Sequence, residues 1–555
     1  MPHKLSRFWQ ELKRRRVIHV IVVYASAAFV IIELVNNIWE TLQMPAWTPA
    51  LTLILLVIGF PLAVIFTWIY GPSPDGITKE GAKVPGDRVP RFENSIAVLP
   101  FQDMSAEGDQ EYFCDGMAEE IINSLAHVSN LKVIARTSAF AFKNHKMDMR
   151  EIGEKLNVEA LLEGSVRKSN NRLRITAQLI RAEDGLHIWS ERFDRTLDDV
   201  FAIQDEISLA IVDHLKASLP NTERRSLLKH NVENPDVYDL YLLGRFYTNR
   251  RNTESLNRAI DLYRDAIRLD TAYALAYAGL SEALTLTGIG YCSLPLKDVF
   301  PKAKEAAQKA IQLNNELCEA HTAMAFAKQY FEFDWPVIEQ EWKRAIELNP
   351  GYAPAHQWYG EYLFIMKRWE EAEKEIRLAL ELDPLSFVIQ TELGWLYHYQ
   401  NKMDQAIEQY RKVIETAPDY AVVHFNLGTA LTIKKMYREA IEASKKAVDL
   451  SGGSPFMKAG LSYAYALSGD VASAIQIRDE LIQLADSGHL VQGPLVTVYV
   501  GLKEREEAMR CLEIAYRNKE NMSFLARAWY EDYLGSNLLS AVPGFQQIQK
   551  KIGLE

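Results

Sequence analysis

Carboxylates form the densest group of chemistry-bearing side chains. Asp103, Glu107, Asp109, Glu111, Asp115, Glu119 and Glu120 all fall between residues 103 and 120. Acids this crowded could hold a metal or a nucleotide beside a strand. They suit equally well a solvated loop running into a helix start, where negative charge meets the positive end of the helix dipole. No basic or histidine partner is fixed nearby in sequence, so the solvated loop is preferred. The chain has no GxxxxGKS/T phosphate loop, no GxSxG elbow, no HExxH and no GxGxxG after a strand. Its twelve histidines are scattered, and none has a second ligand at helical spacing. His187 and Trp189 alternate as on a sheet face. Cys114, Cys292, Cys318 and Cys511 lie far apart with no CxxC pair, which indicates neither zinc nor a disulfide framework. The expectation is a chain that is not an enzyme and needs no cofactor or metal.

Size and charge bound the remaining choices. At 555 residues the chain is too long for one core, so several domains are expected. With 48% hydrophobic and 24% charged residues, wholesale disorder is excluded. Residues 1–16 carry six basic side chains against Glu11, a net of +5, within an overall −11 that leaves −16 on the rest. An acidic body argues against a nucleic-acid partner.

The elements that must position any site repeat themselves. Gly360, Gly394, Gly428 and Ser462 are each 34 residues after the last, and Ala372, Ala406, Ala440, Ala474 and Ala508 keep the same register. Tyr359, Leu393, Leu427, Leu461 and Leu495 precede the small residues, and Pro350, Pro384 and Pro418 share the spacing. Such a period marks a stacked-repeat architecture. Each unit reads as two antiparallel helices, the small residue allowing close approach of the second and the proline ending it. One pair cannot cover its own apolar stripe, so neighbours must stack. The pattern resembles the tetratricopeptide (TPR) repeat. Three looser units precede the regular set, at about Pro235–Asp270, Thr271–Asn314 (with an insertion around Gly288–Pro301) and Glu316–Pro350. About eight repeats therefore fill 235–520, with 521–555 as a C-terminal cap.

The resemblance implies where a partner would sit. Outward positions of each first helix face a concave groove in such repeats, which here places Trp395 and Tyr463 one residue after the small position, Phe364 and His398 three further on, and Phe425 before it. These aromatic, mostly uncharged positions are the groove candidates for an extended or helical protein segment. The Lys/Asn pattern that grips a terminal carboxylate in co-chaperone relatives is missing. Packing of some rings between repeats is the competing reading.

Residues 1–71 read as a two-helix transmembrane hairpin. Apolar runs at about 17–39 and 49–70 are long enough to cross a bilayer, and Trp39, Trp47, Trp68 and Tyr70 stand at their ends. A signal-peptidase site at Ala25-Ser26-Ala27 is disfavoured because the apolar run continues through Ile32. Basic residues before the first run and after the second put both termini in the cytoplasm of an inner-membrane, multi-pass protein with the lipid bilayer as a partner. Residues 72–93, rich in proline and glycine, read as a linker.

Residues 94–218 read as a small α/β domain of order βαβαβββα. Its strands are Ser95–Pro100, Leu131–Ala135, Ala160–Arg167, Arg172–Ile180 and Leu186–Arg192, and its helices start near Gly108, Met149 and Leu197. Leu173, Ile175, Ala177 and Leu179 alternate with polar residues, as a half-buried strand requires. The segments SIAVLPF, YFCDGMAEEIINSL, LKVIARTSAFAFK, ALLEGSVRKSNNRLRITAQLI and DGLHIWSERFDRTLDDVFAIQDEI resemble a bacterial domain described as TolB amino-terminal-like or FlgO-like. That family commonly continues into TPR repeats and often begins with a winged-helix or a class III nucleotide cyclase domain. Here the hairpin takes that place. The whole implies a mainly α chain: hairpin, α/β domain and C-terminal TPR α-solenoid, acting as a membrane-anchored scaffold for a protein partner. A cyclase-related signalling enzyme and an exported envelope-assembly factor are the alternatives.

Overall fold

In the computed structural model the chain divides into two compact units, Met1–Pro90 and Arg91–Glu555. The structure describes scattered positions between 28 and 60, and residues 94–554 apart from 129, 146, 170–171, 197–199, 216–233, 251, 289–295, 521–533 and 541. The linker over 72–93 and most of both apolar runs lie outside the described residues.

The first unit corrects the sequence reading. Among the described residues no helix is long and apolar enough to cross a membrane. The two-helix transmembrane hairpin, the bilayer as a partner and the multi-pass inner-membrane location therefore do not stand. Hydropathy counts apolar residues in a window; it does not test whether they form one unbroken helix of the required length.

The second unit opens with a layered sheet domain. Its elements are β1 (Ser95–Val98), β2 (Gln102–Asp103), α1 (Glu111–Ala126), β3 (Lys132–Val133), α2 (Arg136–Phe140), α3 (Met149–Leu156), β4 (Ala160–Ser169), β5 (Arg172–Arg181), β6 (His187–Thr196) and α4 (Val200–His214). β1 lies between β3 and β4, parallel to both, and β4, β5 and β6 form an antiparallel meander. β2 and α2 are additions to the order read from sequence. A two-residue strand exists only because Gln102 and Asp103 pair with Ser165 and Val166, and so short a segment carries no periodic signal. On β5, Leu173, Ile175, Ala177 and Leu179 point inward and join Met117, Ile121 and Leu125 of α1 and Ile207 and Ile211 of α4. The opposite sheet face, through Ala97, Leu99 and Leu161, packs on Ile152 and Leu156 of α3.

Eight helix pairs follow: α5–α6 (Pro235–Thr248, Thr253–Leu269), α7–α8 (Ala274–Leu286, Leu296–Leu313), α9–α10 (Cys318–Gln329, Trp335–Leu348) and α11–α12 (Ala353–Ile365, Trp369–Leu382). Then come α13–α14 (Phe387–Tyr399, Met403–Thr416), α15–α16 (Ala421–Ile433, Tyr437–Leu450), α17–α18 (Pro455–Ser468, Val471–Asp486) and α19–α20 (Gln492–Leu502, Arg505–Asn518). A short last helix, α21, spans Pro543–Lys551. The second helix of a pair shows why each unit needs neighbours. On α14, Met403, Ala406, Ile407, Tyr410 and Val413 are buried, a stripe at helical spacing that its own partner cannot cover alone. Gly394 is where the two helices meet: a Cβ there would run into the Tyr410 ring. Equivalent contacts join Gly360 to Ile376 and Gly428 to Ser444, each sixteen residues on. The turn inside each of the last five pairs has its own register. Lys367, Asn401, Lys435 and Lys503, at φ of 57°, 59°, 60° and 63°, and Gly469 at 95°, all take the left-handed conformation.

Candidate partner-binding surfaces

Four of the five groove candidates are buried and the fifth, Trp395, is half-buried. Phe364, on α11, stacks on Tyr399 at 6.0 Å between ring centroids, and only 3% of it is exposed. His398, on α13, is fully buried, with its Nδ1 3.4 Å from the Tyr410 hydroxyl. Phe425, on α15, lies 4.5 Å from the Phe456 ring and against Gly460 of α17. Tyr463, on α17, donates its hydroxyl to the carbonyl of Leu534 at 2.6 Å. Trp395 is half-buried and packs among three apolar clusters. Four of the five are thus packed in the interior. First helices of neighbouring repeats pack on one another, so side chains on their inward faces meet each other and the C-terminal segment before they meet solvent.

The histidines and acids also find structural work. His321, His356 and His424 set Nε2 at 3.0, 2.9 and 2.8 Å from the carbonyl oxygens of Asn315, Pro350 and Pro418. In the first two, Nδ1 lies 2.7 Å from Glu341 and Glu375 of the second helix. They staple each repeat to the loop before it. Among the acids, both carboxylate oxygens of Asp103 accept backbone N–H bonds, from Ser105 and Gln110 at 2.8 Å. Asp115 and Glu111 each pair with Lys143 at 2.7 Å. Among the described residues no group of three or more His, Cys, Asp or Glu side chains is placed to hold a metal ion.

Glu119 has a larger role that spacing could not reveal. It is buried on α1 and receives Arg245 of α5, and Arg136 Nε lies 3.1 Å from its other oxygen. Arg245 also reaches Glu282 of α7 at 3.2 Å. Burial alone would raise the pKa of Glu119; Arg245 and then Arg136 outweigh it and hold the carboxyl below its usual range. A second contact joins α2 and the residue before it to the C-terminal end of α12. The Ser138 backbone N–H donates to Asp383 at 2.8 Å, its hydroxyl donates to the same oxygen, and Ala135 N–H donates to Leu382 carbonyl at 2.7 Å. The sheet domain is therefore locked to the first and fourth repeats.

The first repeats carry an open surface. A groove of about 1380 Å³ runs between α6 and α8 over α7. Tyr277, Leu280 and Leu284 form its floor, and its lining includes six basic side chains against three acidic ones. Arg264 pairs with Asp261 at 3.6 Å, Arg268 with Asp265, and Lys304 with Glu332. Arg258, Lys302 and Lys309 stand exposed along it. By contrast, the cleft between α5, α7, α9 and α11 holds about 20 Å³, room for little more than a water molecule.

Comparison with known proteins assigns the repeats. Tetratricopeptide family models match residues 394–433 and 421–453. The C-terminal region is a TPR array. The solved TPR structures include YrrB, described as having an unusual peptide-binding site, at 18% identity over 34% of this chain and 91% of that one, with a TM-score of 0.25. Yeast Tom70 aligns at 17% identity over 65% of this chain and 83% of its own, with a TM-score of 0.38. Residues 92–209 match the model of the second domain of HilA/YgeH-like transcriptional regulators, and no TolB- or FlgO-like domain is shown there. A Rhizobium meliloti (strain 1021) protein named "Putative adenylate cyclase 3" is 36% identical over 265 residues, 47% of this chain and 44% of the relative. The chain thus spans less than half the length of that relative.

Proposed function

We propose that the chain is a non-enzymatic adaptor whose TPR array takes a polypeptide segment of a partner protein. The observation that carries this is the groove between α6 and α8. It combines an apolar floor with a net basic lining, which suits an amphipathic segment whose polar face is acidic. The sheet domain, locked to the array through Glu119 and Asp383, serves as a second docking surface held in fixed relation to the first. Its likeness to TolB- or FlgO-like domains belongs to this same reading, as a module that accompanies TPR arrays in signalling or complex assembly.

A photo-crosslinker at Leu280, used on intact cells, should give one defined adduct that disappears in the double variant Arg258→Glu/Lys309→Glu. The same crosslinker at exposed Lys412 of α14 should not give that adduct. An adduct indifferent to the charge reversal would sink the groove assignment. The relative's name supports a second reading, a cyclase-related signalling enzyme. Turnover of ATP by the purified chain with a divalent metal would put that reading first.

A further inference from the structure

The C-terminal segment does more than cover the last repeat. A cap needs to shield only the outer side of α19 and α20, yet residues 534–554 touch four separate repeats. Leu534 hands its carbonyl to Tyr463 of α17 at 2.6 Å. Gly535 lies against Ile433 at the end of α15. The Leu538 carbonyl accepts from Arg505 of α20 at 3.0 Å. The Ile552 carbonyl accepts from the indole N–H of Trp335, 217 residues earlier at the start of α10, and Gly553 rests on the same ring. Leu534, Leu539, Phe545, Ile548 and Ile552 are all buried, in one cluster with Phe425 and Tyr463.

Two features mark this as a bound ligand rather than a ninth structural layer. First, tail carbonyls are met by side chains of the array at three points, the way a groove holds a peptide main chain irrespective of its sequence. Second, α21 is nine residues long, shorter than an isolated helix can sustain in water. It is held by the surface it occupies, so its folding and its docking are one event.

We infer that the inner face built from α15, α17 and α20, with Trp335 at its far end, is a peptide-binding site whose resident ligand is the chain's own C-terminal segment. The external ligand it fits is a protein segment of the same chemistry: an extended stretch with a free main chain, then a short helix with apolar residues spaced like Phe545, Ile548 and Ile552. Such a segment binds by displacing the tail. The inference does not depend on the groove between α6 and α8, which lies in other repeats.

The test uses the full chain and a labelled synthetic peptide spanning Leu534–Glu555. The double variant Leu539→Asp/Phe545→Asp alters only the tail and frees the site. It should bind the peptide roughly tenfold or more tightly than the unaltered chain, because a cis ligand lowers the competent fraction by its own occupancy. Adding Tyr463→Phe and Trp335→Phe to that variant should weaken the peptide again by removing two donors. Three results would overturn the inference: equal binding by altered and unaltered chains, no binding by either, or loss of array helicity in the tail variant. The last would make the segment a structural cap, and far-UV circular dichroism reads it directly.

Discussion

Replacing Arg245 by methionine keeps most of its apolar stem and removes the charge that faces Glu119. Truncating one partner of a buried ion pair costs about 3–5 kcal/mol, mainly because the other charge is left without compensation. Two groups soften the loss here: Arg136 stays 3.1 Å from Glu119, and the Asn249 amide lies 3.5 Å away. Glu282, which also loses its partner, is half-buried and recovers part of its hydration. The lower end, about 3 kcal/mol, is therefore the expected cost. Glu119→Leu strands Arg245 less completely, since Glu282 still holds it, and about 2 kcal/mol follows on the same basis. The double variant Glu119→Leu/Arg245→Met leaves no stranded charge at the centre. It should fall short of the sum by about 1.5 kcal/mol or more. Amide hydrogen exchange at pH 7 in α1 and α5 reads these losses locally without assuming one global transition. Because the pKa of Glu119 is held low, its contribution is complete above the unfolded-state value near 4.5 and fades only below it. A loss under about 1 kcal/mol for Arg245→Met, or strict additivity in the cycle, would refute the ion pair as the lock between sheet domain and array.

Other outcomes follow from single contacts. Gly394→Ala forces a methyl group into the Tyr410 ring; a loss of about 1–3 kcal/mol in urea unfolding is expected, and Tyr410→Leu in the same chain should recover part of it. Lys435→Gly, at a φ of 60°, relieves left-handed strain in an exposed turn and should stabilise by up to about 1 kcal/mol; a decrease would show that the lysine side chain has a role of its own. Stability should also fall as pH rises from about 4.5 to about 7. Burial pushes Glu361 up to about 7 against a single Tyr330 hydrogen bond, and Asp383 up to about 6 against its bonds from Ser138. Both carboxyls keep in the folded chain a proton that the unfolded chain has released, so the slope is negative across that window and flat above it. Glu361→Gln should remove its upper part, measured as the urea midpoint between pH 5 and 8; an unchanged slope would assign the titration elsewhere.

Local pattern set much of this protein. The 34-residue register of Gly360, Gly394, Gly428 and Ser462 defined helix pairs that must stack, and alternation from Leu173 to Leu179 defined a strand with one buried face. Both are short-range statements about which side of an element avoids water, and a sequence carries them in its periodicity. The same pattern does not say what covers that side. Phe364, His398, Phe425 and Tyr463 were read as outward positions of the first helices, on the groove side, but whether that side meets solvent, a neighbouring helix or a returning tail depends on how closely the repeats pack. The apolar runs near the N-terminus were legible as composition, but among the described residues no helix is long and apolar enough to cross a membrane. Glu119 meets Arg245 across 126 residues, Ser138 meets Asp383 across 245, and Trp335 meets Ile552 across 217. No period links such partners. They are brought together only when independent elements have packed, so tertiary structure alone decided which charges are locked and which face is already filled.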